Sequence, residues 1–308
     1  GDPQAMIGID IGGANLKIVD EDGVHIHYCP LWQGAPLAEL IEGCRGPAAV
    51  VMSGELADCF PTKMEGIRWI VGTVLEAIPG ALFYGIDAAF HTRPVPELAA
   101  ANWLASADYL REGYPNAILL DVGSTTADII PLNLFDDLKG LTDTRRLQKH
   151  YLVYTGLLRT NVAALLRSVT LDGTGTPVST EYFASSADAH LVLGQITAGD
   201  YTVPAPDSGE KTVDAALRRL ARVVCADLDE IGREGALEIA RQFWEVQRTM
   251  IAAALERVQS RSGAAEVITA GIGADLFACE LGGVTLKAEI GDAADALPAY
   301  AVREVALR

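Results

Sequence analysis

Short apolar runs separated by turn sequences dominate the first third of the chain. AMIGIDI, LKIVD and VHIHYCPL are rich in β-branched and aromatic residues and are divided by GGAN and EDG, so they predict three strands joined by tight turns. Apolar residues at i, i+3 and i+4 predict helices over PLAELIEGC, KMEGIRWIVGTVLEAIP and VPELAAANWLASADYLREG. AAVVMSG and ALFYGID lie between these helices as buried strands. The predicted order β-β-β-α-β-α-β-α ends before Pro115, because a residue that precedes proline is pushed out of helical space.

The same order begins again after this proline. AILLDVG, TADIIPL and YLVYTG predict three more strands, with the insertion NLFDDLKGLTDTRRLQK before the third. RTNVAALLRSV predicts a helix, TPVSTEYFASS a strand and a loop, and two long helices are predicted over 212–230 and 235–260. AEVITAG, ADLFACEL, VTLKAEI and DAADALPAYAVREVAL then predict a strand, a short helix, a strand and a closing helix.

This restart, in a chain of 308 residues, predicts two domains of the α/β class. We place the first lobe at 1–115 and the second at 116–308, with a helical insertion at about 212–260. Each lobe is expected to contain a mixed sheet that opens with a three-stranded meander and is flanked by helices, with a cleft between the lobes. For the closing helix, packing back onto the first lobe is one option.

Composition narrows the classes of partner. The chain has 41 acidic and 24 basic residues and a formal net charge of -17, so we expect no nucleic-acid partner and no membrane partner. The densest basic run, DTRRLQKH at 143–150, is interpreted as a solvated helix face or loop. The five cysteines are scattered and never spaced as C-x-x-C, which is typical of a reducing compartment, and no apolar run is long enough to span a membrane. We therefore expect a cytoplasmic protein, and a homodimer is left open.

The restart also repeats one sequence. IDIGGANLKIV at 9–19 and LDVGSTTADII at 120–130 each lead from a buried strand through a glycine turn into a second strand. The aligned pairs are Asp10 with Asp121, Gly12 with Gly123, and Lys17 with Asp128. A single turn of this kind is usually only a hairpin, whereas two copies at the heads of two similar lobes predict a shared site.

The residue types in these turns suit a phosphate ligand. Glycine turns let the backbone approach a ligand, and their N–H groups form anion-binding nests. Carboxylates beside a phosphate repel it unless a hard cation lies between them, so we predict Mg²⁺ held by Asp10 and Asp121. Lys17 and Asp128 complete the predicted catalytic set. The predicted phosphate-binding residues are Gly12, Gly13, Asn15, Gly123, Ser124, Thr125 and Thr126.

A third segment, VITAGIGADLF at 267–277, runs from a strand through two glycines into a helix start. Gly271, Gly273 and Ala274 there are candidates for contacts with a nucleotide or the substrate, because a backbone near a helix N-terminus suits a base, ribose or phosphate. The sequence contains no G-x-x-x-x-G-K-[ST] motif, which excludes a P-loop. Because the segment at 267–277 suits a nucleotide, ATP stays an open candidate beside a phosphorylated small molecule.

Other candidate substrate contacts are less specific. Arg159 and Thr160 in GLLRTN are candidates because arginine binds phosphate or carboxylate groups bidentately. Ser186 lies in SSAD, which is equally a helix N-cap sequence. His91 follows a predicted strand end near the expected cleft. His25 and His27 share one face of a strand, but without a third ligand they are interpreted as surface residues.

At the three glycine segments the sequence resembles the actin-like ATPase superfamily of sugar kinases, heat-shock chaperones and actin. IDIGGANLKI looks like its first phosphate loop, LDVGSTTADI like its second and ITAGIGADL like its adenosine loop. DVGSTTADI is most similar to the hydantoinase and oxoprolinase branch. MSGELADCFPTKMEGI, YTGLLRTNV and FASSADAHLVLG also resemble a small family linked to tetrahydromethanopterin-dependent one-carbon metabolism, which includes a methanofuran-biosynthesis synthase. The resemblance implies two actin-like, ribonuclease H-like lobes.

The closer resemblance implies a transferase of methanofuran-type carrier biosynthesis. Such an enzyme joins the phenol of a tyramine or tyrosine to an aminomethylfuran diphosphate and releases pyrophosphate. Asp87, Asp128 and Asp188 are the candidates for the group that accepts the phenol proton.

Two alternatives from other classes remain. One is an ATP-dependent kinase or a hydantoinase- or oxoprolinase-like amide-ring hydrolase, and the other is a non-enzymatic, nucleotide-binding actin-like protein. The chain is shorter than typical oxoprolinases, and beyond its two glycine turns it lacks an obvious catalytic-base segment of the sugar-kinase type, which weakens the first alternative.

Overall fold

The computed structural model describes residues 6–34 and 36–308, and its first lobe is built on a six-stranded sheet. The first three strands form an antiparallel meander, the fourth is parallel to the first, and the fifth is parallel to the fourth. The strands are β1 (Ile7–Ile11), β2 (Asn15–Val19), β3 (Val24–Tyr28), β4 (Ala48–Met52), β5 (Leu82–Tyr84) and β6 (Phe90–His91). Ala5, the first residue of the predicted first strand, lies outside the described residues.

Among the described residues of this lobe, three α-helices accompany the sheet. They are α1 (Leu37–Ile41), α2 (Lys63–Ala77) and α3 (Asn102–Gly113). The side chain of Thr62 caps α2, since it accepts a hydrogen bond from the backbone N–H of Glu65. The third helix begins later than predicted, because the preceding residues form only a single 3₁₀ turn and Ala100 adopts a φ of 46°.

The second lobe is built on a five-stranded sheet and carries a separate hairpin. The sheet strands are β7 (Ala117–Val122), β8 (Ala127–Pro131), β9 (Leu152–Val153), β12 (Glu266–Ala270) and β13 (Val284–Thr285), and the hairpin is β10 (Ser168–Leu171) with β11 (Thr174–Pro177). The helices are α4 (Phe135–Leu138), α5 (Asp143–Lys149), α6 (Val162–Leu165), α7 (Ser186–Val192), α8 (Val213–Arg222), α9 (Leu228–Ser262), α10 (Ala274–Leu281), α11 (Lys287–Ile290) and α12 (Leu297–Ala306).

The two sheets have the same strand order. The first is ordered β3-β2-β1-β4-β5 with β6 at its edge, and the second is ordered β9-β8-β7-β12-β13. In each sheet the first strand pairs antiparallel with the second and parallel with the fourth. The strands β1, β4 and β7 are buried along their whole length, which explains their nearly continuous apolar sequences. The prediction of two α/β lobes whose mixed sheets each open with a three-stranded meander is confirmed.

Of the two long helices predicted over 212–230 and 235–260, the structure corrects the first and agrees with the second. The first of them, α8, ends at Arg222, and α9 runs from Leu228 to Ser262. Gly232 interrupts α9 with a φ of 68°, a conformation that glycine tolerates and that breaks the helical pattern. Although α9 is 35 residues long, neither it nor any other helix within residues 6–34 and 36–308 is long and apolar enough to cross a membrane.

Two further predicted elements are shorter than expected. VTLKAEI is not one strand, because only Val284 and Thr285 pair with β12 before the chain turns into α11. RTNVAALLRSV is not one helix, because α6 covers four residues. The β-branched Val169 and Thr170 that follow join β10, where they pair with β11.

The helix α3 lies against both sheets, α12 lies against the first sheet, and both helices share one core with the two sheets. α12 contacts β1, β2 and β4 of the first lobe and packs on α3. Buried side chains of this core run from Val51 on β4 through Trp103 on α3 to Leu120 on β7, and they include Val302 on α12. The two lobes are therefore joined by continuous apolar packing.

We expect Gly8→Ala to destabilise the protein. Gly8 lies on β1 directly beneath α12, and a Cβ atom there would overlap the carbonyl group of Ala299. Displacing the helix should lower the free energy of unfolding by about 1–3 kcal/mol. Urea unfolding followed by circular dichroism measures this change.

The matched control is Gly72→Ala in α2. A Cβ atom at Gly72 would meet nothing within 4 Å, so this change should leave stability unaltered or raise it by about 0.5–1 kcal/mol. Equal stability of the two variants would contradict the tight contact between β1 and α12.

Candidate functional site

The glycine turns at the heads of the two sheets face one cavity. The turn between β1 and β2 and the turn between β7 and β8 both line this space, which has a volume of ≈ 540 Å³. Nδ2 of Asn15 donates a hydrogen bond to Oγ of Ser124 at 3.0 Å, so the turns touch across the two lobes. The predicted loop residues that line the cavity are Asp10, Gly12, Gly13, Asn15, Lys17, Asp121, Gly123, Ser124, Thr125, Thr126 and Asp128.

Each turn is closed by a backbone hydrogen bond at the equivalent place. The N–H of Gly12 donates to the carbonyl of Asn15, and the N–H of Gly123 donates to the carbonyl of Thr126, both at 2.9 Å. A Cβ atom at Gly12 would lie 3.1 Å from that same carbonyl oxygen, so glycine keeps the first turn tight. The sequence repeat therefore corresponds to a repeat of local structure.

Two other glycines let neighbouring loops pack against these turns. A Cβ atom at Gly54, just after β4, would lie 2.9 Å from the carbonyl oxygen of Gly12. A Cβ atom at Gly156, just after β9, would lie 2.6 Å from the carbonyl group of Ser124. The N–H of Arg159 also donates to the carbonyl of Ser124, at 2.9 Å. Packing and hydrogen bonding therefore hold both turns in place from behind.

The two turns present backbone donors without partners. Within the described part of the chain, the N–H groups of Gly13, Ala14, Ser124, Thr125 and Thr126 donate no hydrogen bond to protein atoms. All five residues line the cavity. Successive free N–H groups in a turn form an anion-binding concavity, so the cavity is equipped for a phosphate-type ligand.

Two buried carboxylates lie at the ends of the central strands. Burial raises the pKa of Asp10 to about 6 and the pKa of Asp121 to about 7, and the carboxylate of Asp128 contributes to the rise of both. Lys17, which pairs with Asp10 in the β1–β2 register, lowers both pKa values. Oδ1 of Asp10 is buried and has no hydrogen-bond partner. This site therefore holds more buried negative charge than Lys17 compensates.

Asp128 is held by a buried arginine. Nη1 of Arg146 contacts Oδ1 of Asp128 at 2.6 Å, and Nη2 contacts Oδ1 of Asp143 at 2.7 Å. The guanidinium also lies 4.7 Å from the ring centroid of Trp103. Burial raises the pKa of Asp128, while Arg146 lowers it. The expected solvated face at 143–150 is thus wrong for Arg146, which is 3% exposed and lines the cavity.

Arg159 links the second turn to the first lobe. Its Nη1 donates to Oγ1 of Thr125 at 2.9 Å, and its guanidinium lies 5.0 Å from the ring centroid of Trp32. Trp32 comes from the segment after β3, so this contact crosses the cleft. Both residues line the cavity, which places a fixed cation beside the free N–H groups of the second turn.

Thr160 and Ser186 occupy a buried network beside the cavity and do not line it. The N–H of Thr160 donates to Oγ of Ser186 at 3.0 Å. The hydroxyl of Thr160 accepts from the N–H of Gly156 at 2.9 Å and lies 2.8 Å from the hydroxyl of Thr155. In this structure both side chains hold the loop that supports the second turn, and their role as substrate contacts stays a prediction.

Asp87, His91 and Asp188 lie elsewhere. His91 is on the edge strand β6, where its Nε2 pairs with Asp87 at 3.0 Å. Asp188 is fully buried, pairs with Arg219 at 2.8 Å and completes the capping box of α7 with Ser185. None of the three predicted residues lines the cavity. Of the three candidates for the proton acceptor, only Asp128 does.

The third glycine segment packs on the end of β7. A Cβ atom at Gly271 would overlap Asp121, and one at Gly273 would lie 2.9 Å from the side chain of Val122. The N–H of Gly271 donates to the carbonyl of Ala294, and the N–H of Gly273 donates to the carbonyl of Val122. Ala274 is buried at the start of α10. These N–H groups are therefore used inside the protein, and the segment does not line the cavity.

Sequence reasoning missed part of the cavity wall. Ser53, Leu56, Asp58 and Tyr154 lie in the segments MSGELAD and YTGLLRTN, so those segments carried the available signal. No sequence signal marked Trp32, Asn102 or Pro298 as lining residues, because they come from different elements that only the fold brings together. The additional lining residues are Ala14, Trp32, Ser53, Leu56, Ala57, Asp58, Asn102, Asp143, Arg146, Leu152, Tyr154 and Pro298.

The acidic groups do not form a complete metal cage. Among residues 6–34 and 36–308, no group of three or more His, Cys, Asp or Glu side chains is arranged to hold a metal ion. Mg²⁺ is commonly held by one or two carboxylates together with water and substrate phosphates. The unpartnered Oδ1 of Asp10 and the nearby Asp121 fit that type of site.

Two comparisons by sequence agree with each other. Residues 47–292 match the family model for hydantoinase/oxoprolinase. The (4-{4-[2-(gamma-L-glutamylamino)ethyl]phenoxymethyl}furan-2-yl)methanamine synthase of Methanocaldococcus jannaschii is 33% identical over 319 residues, covering 97% of this chain and 97% of the relative. The synthase of the same name from Methanococcus vannielii is 33% identical over 174 residues, which is 56% of this chain and 78% of that protein.

A solved structure supports the fold. The nucleotide-free structure of acetone carboxylase aligns with a TM-score of 0.55 at 10% identity, covering 97% of this chain and 70% of that chain. At this identity the similarity shows a shared fold, which agrees with the two repeated sheets.

We expect Asp121→Asn to alter the pH dependence of stability in the presence of a metal chelator. Burial raises the pKa of Asp121 from its ordinary value of 3.8 to about 7, so the folded state keeps a proton that the unfolded state has lost, and the wild type loses stability as the pH rises through this interval. The variant has no charge to bury and should become more stable than the wild type above neutral pH, by on the order of 2–4 kcal/mol. Thermal and urea unfolding across this pH range measure the difference.

The control is Asp22→Asn, which removes the same charge from an exposed position. It should leave the pH profile of the wild type unchanged. If the stability of Asp121→Asn followed the same pH profile as the wild type, the Asp121 carboxyl could not have the raised pKa that its burial implies.

Proposed function

This chain belongs to the hydantoinase/oxoprolinase family and to the family of the furan-methanamine synthases described above. From that premise we propose that it joins a phenol to an aminomethylfuran diphosphate and releases pyrophosphate. The chain is an enzyme, since its relatives are synthases. The name of those relatives describes a product in which a phenol oxygen is bonded to a CH₂ group on a furan ring. The proposed reaction forms this bond, in the biosynthesis of a methanofuran-type carrier.

One observation supports the proposal most strongly. Five backbone N–H groups, which have no hydrogen-bond partner within the described part of the chain, surround a single cavity together with Lys17 and Arg159. A diphosphate has enough oxygen atoms to accept hydrogen bonds from both turns at once. Because the turns belong to different lobes, a ligand with two linked phosphates fits the site better than a single carboxylate does.

The turns would also stabilise the departing group. In the proposed reaction the bond between the furan CH₂ and the diphosphate oxygen breaks, and the diphosphate leaves with the electron pair. Negative charge develops on oxygen atoms that face donors already fixed in place, which is where hydrogen bonds lower a barrier most. Removing one such donor typically costs about 3–4 kcal/mol of transition-state stabilisation.

We propose Mg²⁺ as the counter-ion between the carboxylates and the diphosphate. Asp10 and Asp121 would hold it, because both lie at the cavity and Oδ1 of Asp10 lacks a partner. When bound, the ion would neutralise charge on the diphosphate oxygens. Lys17 would stay beside the carboxylates and balance the charge that remains.

Asp128 is the proposed proton acceptor for the phenol. It lines the cavity, and its ion pair with Arg146 favours the charged form that can accept a proton. The phenol oxygen then bonds to the furan CH₂ carbon, and its proton moves to Asp128. A negative charge at this position would also stabilise positive charge that develops on the furan carbon as the diphosphate departs.

We further propose that the reaction does not consume ATP. The backbone N–H groups of Gly271 and Gly273, which the resemblance assigns to adenosine, are hydrogen-bonded within the protein. Gly271 also packs closely on the end of β7, since a Cβ atom at this position would overlap the carboxylate of Asp121. These contacts favour a diphosphate substrate over a nucleoside triphosphate in this cleft.

We expect pyrophosphate release when the protein is mixed with Mg²⁺, an aminomethylfuran diphosphate and γ-glutamyltyramine, tyramine or tyrosine. Coupled pyrophosphate detection and mass spectrometry of the ether product measure the reaction. Asp10→Ala should lower the rate by roughly 10²–10³, since it removes the predicted metal ligand. Parallel reactions without ATP and with ATP should run at the same rate. Product formation that requires ATP, or phosphate release from ATP that depends on a substrate, would favour the ATP-dependent alternative instead.

A second prediction compares neighbouring arginines on α5. Arg146→Met removes the partner of Asp128, raises the pKa of that carboxyl and should move the acidic limb of the pH–rate profile to higher pH. At neutral pH the rate should fall by roughly 10-fold or more, because less Asp128 is ionised. Arg145→Met is the matched control, since Arg145 is exposed and its Nη1 donates to Gln148. A uniform loss of rate at every pH in Arg146→Met would indicate a structural role alone.

A further inference from the structure

A second pocket lies on the second lobe, away from the cavity between the turns. It has a volume of ≈ 510 Å³ and is open to solvent. His150, at the end of α5, forms one wall, and the last turns of α9 form the other. The residues from α9 are Glu256, Arg257, Ser260 and Arg261. No residue of this pocket lines the cleft, so the two spaces are separate.

The arginines of α9 fall into two groups. Those nearer its start are each paired with a carboxylate, as Arg233 with Asp214 at 2.6 Å, Arg241 with Glu234 at 2.6 Å, and Arg248 with Glu245 at 2.7 Å. In the described part of the chain, Arg257 and Arg261 form no ion pair with any carboxylate, Glu256 included. This is unexpected in a chain with 41 acidic and 24 basic residues. These two guanidinium groups form a local excess of positive charge on an acidic protein.

Each of these exposed guanidinium groups makes one hydrogen bond to the end of α5. Nη1 of Arg257 donates to Nε2 of His150 at 2.8 Å. Nη1 of Arg261 donates to the carbonyl of Lys149 at 2.8 Å, and its guanidinium lies 5.5 Å from the ring centroid of Tyr151. Burial and the two arginines lower the pKa of His150, so its ring stays neutral and accepts the hydrogen bond. Each arginine thus keeps most of its N–H donors for another partner.

We propose that this pocket binds a small phosphate-type oxyanion between Arg257 and Arg261. One guanidinium offers parallel N–H donors that match two oxygens of a phosphate, and a second guanidinium one helical turn away can bind the other oxygens. The hydroxyl of Ser260 adds a donor in the same wall. Glu256 limits the net charge of the pocket, which suits a small anion better than an extended polyanion. The site does not depend on the reaction assigned to the cleft.

The test measures binding of inorganic phosphate and of pyrophosphate by isothermal titration calorimetry, with a chelator present. The double variant Arg257→Gln/Arg261→Gln should weaken binding at this site roughly 10-fold or more, since it removes both charged donors. The control double variant Arg241→Gln/Arg248→Gln makes the same charge change on the same helix, at arginines that carboxylates already hold. It should bind as the wild type does. Arg257→Gln alone is a milder variant that leaves the contact between Arg261 and α5 intact, and it should also weaken binding.

Lys17→Met separates this pocket from the cleft. Binding that survives Lys17→Met and is weakened by Arg257→Gln supports the proposal. Binding that is lost with Lys17→Met and unchanged in the Arg257 variants would assign the anion to the cleft and overturn the proposal. Equal weakening by both double variants would show non-specific charge attraction, and it would overturn the proposal as well.

Discussion

The burial of Asp10 and Asp121 at the junction of two lobes, with the partly buried Asp128 beside them, is the constraint on which the rest of this structure depends. Burial raises the pKa values of Asp10, Asp121 and Asp128, and Lys17 offsets only part of their charge. Burying several carboxylates together is unfavourable, because a charge in a protein interior needs a partner. The proposed Mg²⁺ and diphosphate would make it favourable by entering together. The geometry of both turns is consistent with that requirement, because their free N–H groups face the same space.

The fold maintains this arrangement through duplication and a shared core. In each sheet the first strand carries an aspartate near its end and is followed by a turn at a glycine, so the two turns are structurally equivalent. The helices α3 and α12 then join the sheets through continuous apolar packing. Glycines at positions 54 and 156 let other loops support the turns at van der Waals distance. The donors are thus preorganised by the scaffold, which is what transition-state stabilisation requires.

The two lobes differ in how they use the same hairpin. In the first lobe the position opposite the aspartate carries Lys17, and in the second it carries Asp128, which a buried arginine holds. One lobe therefore contributes a cation and the other a carboxylate with its own counter-ion. In the proposed reaction, this division would let the duplicated hairpin supply different groups to the two ends of one substrate. It also explains why the copies diverge at this position while their first aspartates and the glycines that follow them match.

Most of the sheet framework could be predicted from the sequence, because strand periodicity and turn composition are local signals. The early end of α8 and the end of VTLKAEI could not be predicted, since α8 is followed by Cys225 with a φ of 60° and the strand length depends on how many residues find a partner strand. The residues of the two turns were recognisable from their repeat. The roles of Arg146 and Trp32 could not be recognised, because the sequence of a basic run or of a lone aromatic residue is the same whether its side chains face solvent or a cleft.

The sequence by itself determined that this protein has two similar α/β lobes, each with an acidic glycine turn, because these features follow from short-range patterns and their repetition. Only the tertiary structure decided that the turns touch through Asn15 and Ser124 and that Arg146 is buried against Asp128. It also decided that the glycines at 271 and 273 serve packing against β7. These contacts join segments that are far apart in the sequence, and only the packing of the whole chain determines which of those segments meet.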